Sequence, residues 1–213
     1  IAVCPYGGST SWWLDAPALP GSKYETFVSS ELVAAIDGRY RTFADRSKRA
    51  IMGGSMGGYG ACWNGFRHKD VFGAVGDIFG GLEPRANVGK WGLDQLFGNI
   101  TEQPEVWDAH SVLTLAAKVR NGEQQIIIAL GTEDYFLNVN RRLHDLLASN
   151  KVEHLYMEVR GPDQEHSWHS NSVYRMVEPT VFRFFDGYFR TGRSTTVESD
   201  ELMSADSGKD QKL

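Results

Sequence analysis

Apolar positions in this chain follow two different periods. Short runs at Ile1 to Cys4, Ala50 to Met52, Phe72 to Phe79, Gln125 to Leu130 and Leu155 to Val159 have the length and residue types of buried strands, and Gln125 to Leu130 is the clearest. Stripes recurring every three or four residues predict helices between them. Tyr24, Val28, Leu32, Ile36 and Tyr40, with Val33 beside them, form one such stripe; others follow from Met56 toward Arg67, over Val112 to Val119, Asn138 to Leu147 and Val173 to Phe189. Strand then helix, repeated, predicts a mostly parallel sheet with helices on both faces. Ligands of such a sheet bind outside the C-terminal ends of its strands, so the loops that leave those ends are where chemistry is sought.

Residues 82 to 110 keep neither period and hold Trp91, Leu93, Leu96, Phe97 and Trp107 among prolines and glycines, as a lid or a packed wall would. From Thr191 the chain turns polar and charged. Residues 1–190 are therefore read as one domain and 191–213 as a disordered tail.

The run ending at Met52 feeds Gly53-Gly54-Ser55-Met56-Gly57, a G-x-S-x-G elbow between a strand and a helix. Such a turn lifts a serine hydroxyl clear of the sheet, and glycine is expected at both flanks because a side chain there would strike the strand or the helix. The helix start supplies free N–H groups for an oxyanion. A serine hydroxyl also needs a base, and the base a carboxylate to fix its tautomer. Asp134 leaves the Gln125 to Leu130 strand on the short turn Gly131-Thr132-Glu133, and is preferred to its neighbour Glu133 and to Asp77 near the end of the preceding strand. His166 follows the last strand and is preferred as the base, with His169 its rival. Ser55, Asp134 and His166 then sit on loops at one edge of the sheet, in the order serine, acid, histidine. His166 and His169 also spell H-x-x-H, but without the H-E-x-x-H order or a third ligand, so no metal is expected. Trp12 and Trp13 lie in the loop after Ile1 to Cys4, as a packed loop or a substrate wall.

Composition narrows the classes of partner. The chain has 213 residues and a net charge of -5 spread along it, so no basic face points to nucleic acid. No run is long and apolar enough for a membrane span, no phosphate loop or dinucleotide fingerprint occurs, no cofactor is implied, and the compartment stays open. Cys4 and Cys62 are read as free, buried thiols.

Tyr24-Glu25-Thr26-Phe27 entering Glu31-Leu32, Gly54-Ser55-Met56-Gly57-Gly58, Gly131-Thr132-Glu133-Asp134 and His166-Ser167-Trp168 together resemble α/β-hydrolase esterases of the esterase D and S-formylglutathione hydrolase type. That group includes acetyl xylan and feruloyl esterases and is related to mycolyltransferases. The resemblance implies a serine esterase acting on small esters, including carbohydrate-linked ones, with Ser55 as nucleophile, Asp134 as acid, His166 as base and the Met56 N–H as one oxyanion donor. It implies Trp12, Trp13 and Trp168 as substrate walls. Gln164-Glu165 stand where the family carries glycines before the base. Family members also begin with further strands, one lying between the Ile1 to Cys4 strand and the elbow strand and followed by a loop that gives the second oxyanion N–H. The expectation is a chain without those N-terminal strands, its sheet completed by an upstream segment or a partner chain. The alternatives are a catalytically silent carbohydrate-binding or assembly module, or an S-formylglutathione thioesterase.

Overall fold

The computed structural model describes residues 1–192, so the expected tail lies, from residue 193 onward, outside the described residues. Four strands, β1 (Ala50–Gly54), β2 (Ala74–Ile78), β3 (Gln125–Gly131) and β4 (Leu155–Val159), pair in chain order and all run parallel. Parallel neighbours need a crossover, and each is helical. Met56–Arg67 joins β1 to β2; the short helices Leu93–Phe97, Pro104–Ala109 and Val112–Ala116 lie between β2 and β3; Leu137–Ser149 joins β3 to β4. A closing helix, Asn171–Thr191, begins at Ser170, whose hydroxyl caps it by accepting from Val173 N.

Alternate strand residues serve opposite faces. Val75, Ile126 and Ile128 pack with Trp63 and Phe66 of the helix after β1 and with Leu143 and Leu147, whereas Ala74, Ile78, Ile127 and Ala129 pack with Val177, Val181, Phe184 and Phe185 of the closing helix. Each large side chain so buried contributes roughly 1.5–3 kcal/mol. Helices thus cover both faces, and the strand ends β1 to β4 share one edge of the sheet.

Ile1 to Cys4 does not form the expected strand; Ile1 is 83% exposed, and Val3 and Cys4 are exposed as well. A strand needs a neighbour for its N–H and C=O groups. Among the described residues none pairs with it, nor with the outer edge of β1, whose five residues are all half-buried while those of β2 are all buried. Both cysteines are free, but only Cys62 is buried. The Tyr24 stripe does become helix, Tyr24–Thr26 and Leu32–Arg39 with a wider π turn at Phe27–Glu31 between. Its Leu32, Val33 and Ile36 are only half-buried. What it buries includes Glu25, whose carboxylate meets Trp63 Nε1 at 2.8 Å, Arg67 Nε at 2.7 Å and His68 Nε2 at 2.8 Å. Burial opposes that charge, yet the bonds from His68, Arg67 and Trp63 hold the Glu25 pKa down to about 2.

Candidate active site

β1 ends at Gly54, and Ser55 turns the chain at φ 58°, ψ -119° into the helix that starts at Met56. Such a left-handed serine is strained, and the strain is held by Ser55 N donating to Ile78 O at 3.0 Å and Tyr59 N donating to Ser55 O at 3.1 Å. A Cβ on Gly53 would lie 2.4 Å from Gly57 O, so glycine is required there. At Gly57 itself a Cβ would meet only Trp13 Nε1 at 3.9 Å, contrary to the expectation of crowding at both flanks. The second crowded position is Gly58, where a Cβ would lie 2.4 Å from Asp77 Oδ1 and 2.7 Å from Gly80 Cα.

β3 delivers Asp134 on its short turn. The side chain is wholly buried, Oδ1 accepting from Phe136 N at 2.7 Å and Oδ2 lying 2.8 Å from a histidine Nδ1. That histidine is His169, and its Nε2 is 2.8 Å from Ser55 Oγ. Ser55, His169 and Asp134 therefore form one hydrogen-bonded chain. The imidazole is held in an aromatic sleeve, with Tyr135 at 4.3 Å, Phe79 at 4.5 Å and Phe136 at 5.4 Å between ring centroids.

His166 is not brought to this point. Its ring Nδ1 lies 2.7 Å from Asp163 Oδ1, which also accepts from His166 N, and this bond raises the pKa of an imidazole on the solvent side of the loop. The cause is how the loop closes. Gly161 N donates to His166 O and Ser167 N to Gln164 O, so Asp163 to Ser167 forms a local knot that turns His166 outward. Ser167 O then accepts from Glu133 N at 2.8 Å, docking the loop on the β3 turn and carrying His169 over Asp134. The sequence signal available was Ser170, the cap of the closing helix, which fixes the residue before it near the sheet edge.

Asp77 is not a rival orienting group. It points to the other end of the elbow, fully buried, with Oδ1 accepting from Gly80 N at 2.9 Å. Its Oδ2 has no hydrogen-bond partner among the described residues. Burial, with the Asp134 charge nearby, raises its pKa to about 8, which the Gly80 bond only partly offsets.

The tryptophans divide. Trp12 is 3% exposed and packs edge-on against Tyr59, its Nε1 donating to Trp91 O, so it belongs to the core and walls no open site. Trp13 is half-buried against Gly57, Gly60 and Gly7, where added Cβ atoms would touch its ring, and its carbonyl accepts from Asn64 Nδ2. Trp168 is 39% exposed and packs edge-on against Tyr135. A cavity of about 490 Å³ opens beside Ser55 and His169, lined also by Phe79, Asn171 and Tyr174. Met56 opens the elbow helix, with its backbone N–H among the unpaired first-turn donors. No group of three or more potential metal ligands occurs among the described residues, and no described helix is long and apolar enough to cross a membrane.

A family model described as Esterase matches residues 1–175. An S-formylglutathione hydrolase of Saccharomyces cerevisiae is 26% identical over 162 residues, 69% of this chain and 52% of that protein. An esterase of Mycobacterium tuberculosis is 31% identical across a 219-residue alignment that covers 92% of this chain and 46% of the relative. The chain spans about half the length of the curated relatives it matches. Among solved structures, a ferulic acid esterase superposes with a TM-score of 0.68 at 22% identity, covering 83% of this chain and 64% of that one. The fold is that of the α/β-hydrolases.

Proposed function

Because the chain belongs to the Esterase family, we propose that it hydrolyses carboxylic esters through an acyl-enzyme on Ser55, with His169 as base and Asp134 as the group that orients it. The observation that carries this is the unbroken hydrogen-bond chain from Ser55 Oγ through His169 to Asp134 Oδ2. His169 replaces His166 in the role of base, because only His169 is within reach of both partners.

In the first half-reaction Ser55 Oγ bonds to the ester carbonyl carbon and its proton passes to His169 Nε2. Asp134, buried and itself anchored by Phe136 N, keeps the Nδ1 proton in place and stabilises the imidazolium. The oxyanion accepts from the Met56 N–H at the helix start. As the carbonyl re-forms, the C–O bond to the alcohol breaks and that oxygen takes the proton from Nε2. Water then attacks the acyl carbon, giving its proton to Nε2. Ser55 Oγ leaves with that proton, and a carboxylic acid is released.

The cavity lined by Phe79 and Tyr174 suits a small or aryl acyl group, and acetyl or feruloyl esters of carbohydrates are the substrates we would assay first. The named action of the ferulic acid esterase neighbour supports that choice. The test is hydrolysis of a panel of acetyl and feruloyl esters by the wild-type chain and by Ser55→Ala. Turnover that disappears in the variant supports the reading; turnover unchanged in Ser55→Ala overturns it.

A further inference from the structure

Beyond the ring of Tyr135 lies a second concavity that the ester chemistry does not use. It is a groove of about 570 Å³ whose walls include Trp91, Tyr135, Phe136, Lys90, Arg142 and Glu83. Tyr135 divides it from the reacting centre: its ring lies 4.3 Å from that of His169 and 6.3 Å from that of Trp91, on which it stacks. The groove is thus one aromatic ring away from Ser55 and its base.

The aromatic surface here is presented to solvent. Trp91 is 44% exposed, Tyr135 48%, and Trp168 joins them through its edge contact with Tyr135. Contiguous exposed aromatics are a feature of binding surfaces. Trp91 is also held at a cost. Its φ of 51° is in the left-handed region that a bulky residue avoids, and buried Trp12 fixes its carbonyl with a hydrogen bond of 3.2 Å. An indole set at that angle, 44% exposed beside Tyr135, offers aromatic surface against which a ring can pack.

The charges of the groove are uneven. Glu83 is buried and bonded to Arg85 and to Ser111 Oγ, so its carboxylate is already neutralised and satisfied. Lys90 sits over the Trp91 ring at 5.7 Å, and Arg142 projects from the helix Leu137–Ser149; both are exposed, and neither is drawn into a salt bridge among the described residues. What remains is a ring platform flanked by two cations.

We propose that this groove binds the part of the substrate remote from the ester, and that this part is a six-membered ring carrying a carboxylate. The ring stacks on Trp91 and Tyr135, and the carboxylate is taken by Lys90 and Arg142. Aryl and pyranose rings share that chemistry, so an aryl acid and a sugar acid are its two sources. The inference rests on the esterase reading for what happens at the ester itself, but the binding does not require turnover.

The experiment is calorimetric titration of the Ser55→Ala protein with 4-hydroxybenzoate and with glucuronate, with phenol and glucose as neutral partners. Each acid is also titrated into a Ser55→Ala protein carrying Lys90→Ala and Arg142→Ala, two exposed positions whose loss leaves the core intact. We expect at least one acid to bind more tightly than its neutral partner, to weaken with added salt and to lose roughly tenfold in affinity in the charge-deleted protein. Which acid binds identifies the source. No binding by either acid, equal binding of the neutral partner, or affinity unchanged by the two substitutions overturns the proposal. Hydrolysis of ethyl acetate by the protein with Ser55 intact is measured separately; its absence would strike the esterase reading and leave the binding result standing.

Discussion

Asp77 makes this protein less stable as pH rises, and the size of the effect follows from where its carboxyl sits. The side chain is wholly buried beneath the elbow, one oxygen bonded to Gly80 N and the other without a partner among the described residues. Burial raises its pKa from 3.8 to about 8, with the nearby Asp134 adding to the effect. In the unfolded chain it ionises near pH 4. Between those values the native state holds a proton that the unfolded state has released, so stability falls by about 1.4 kcal/mol per pH unit. The whole contribution is present below pH 4 and lost by pH 8, on the order of 5 kcal/mol across the window. Asp77→Asn keeps the shape and an acceptor for Gly80 N but does not titrate. Cys62 and Asp134 also face this site, and both are retained in the variant. Urea midpoints of the two proteins at pH 5, 6.5 and 8 give the test. The curves should diverge, with the variant gaining steadily on the wild type as pH rises. Parallel curves would show that Asp77 is ionised in the native state and that the argument from its burial is wrong.

Other consequences are smaller in scope. Gly58→Ala forces a Cβ to 2.4 Å from Asp77 Oδ1 and 2.7 Å from Gly80 Cα, so a loss of about 1–3 kcal/mol is expected, whereas Gly57→Ala, with its nearest neighbour at 3.9 Å, should melt close to the wild type. Thermal melting of both proteins distinguishes a crowded elbow from a uniformly glycine-dependent one. Glu25→Gln removes charge-assisted bonds to His68 and Arg67 and weakens that from Trp63, at roughly 1.5–3 kcal/mol near neutral pH. Because the folded pKa is depressed to about 2, that stability is present above pH 4–5 and fades as pH falls toward 2, so the two unfolding free energies should converge in acid.

Much of this architecture is written in local pattern. Gln125 to Leu130 reads as a buried strand because its run is continuous and bounded by turns, and β3 occupies Gln125–Gly131. Ser55 and Asp134 are found because each sits in a short turn whose direction the preceding strand dictates. The histidine depends on something else. His166 and His169 are three positions apart in one irregular loop, and only the bonds of Asp163 to His166 and of Ser167 O to Glu133 N decide which faces the serine. Those bonds join the loop to itself and to another turn, so periodicity holds no trace of them. Adjacent Trp12 and Trp13 pose the same difficulty: both have positive φ, and the resulting turn sends one indole into the core and leaves the other half-covered. Ile1 to Cys4 has the composition of a strand, but composition cannot provide the neighbour whose hydrogen bonds would make it one.

The relay from Ser55 to Asp134 through His169 is tested most directly by intact-mass analysis after exposure to a fluorophosphonate. Ser55 Oγ attacks phosphorus and fluoride leaves, so an adduct reports an activated serine without any assumption about substrate. The wild type and His166→Ala should each gain one adduct at Ser55 and Ser55→Ala none, while His169→Ala should label at least about a hundredfold more slowly. Loss of labelling in His166→Ala with labelling retained in His169→Ala would contradict the account.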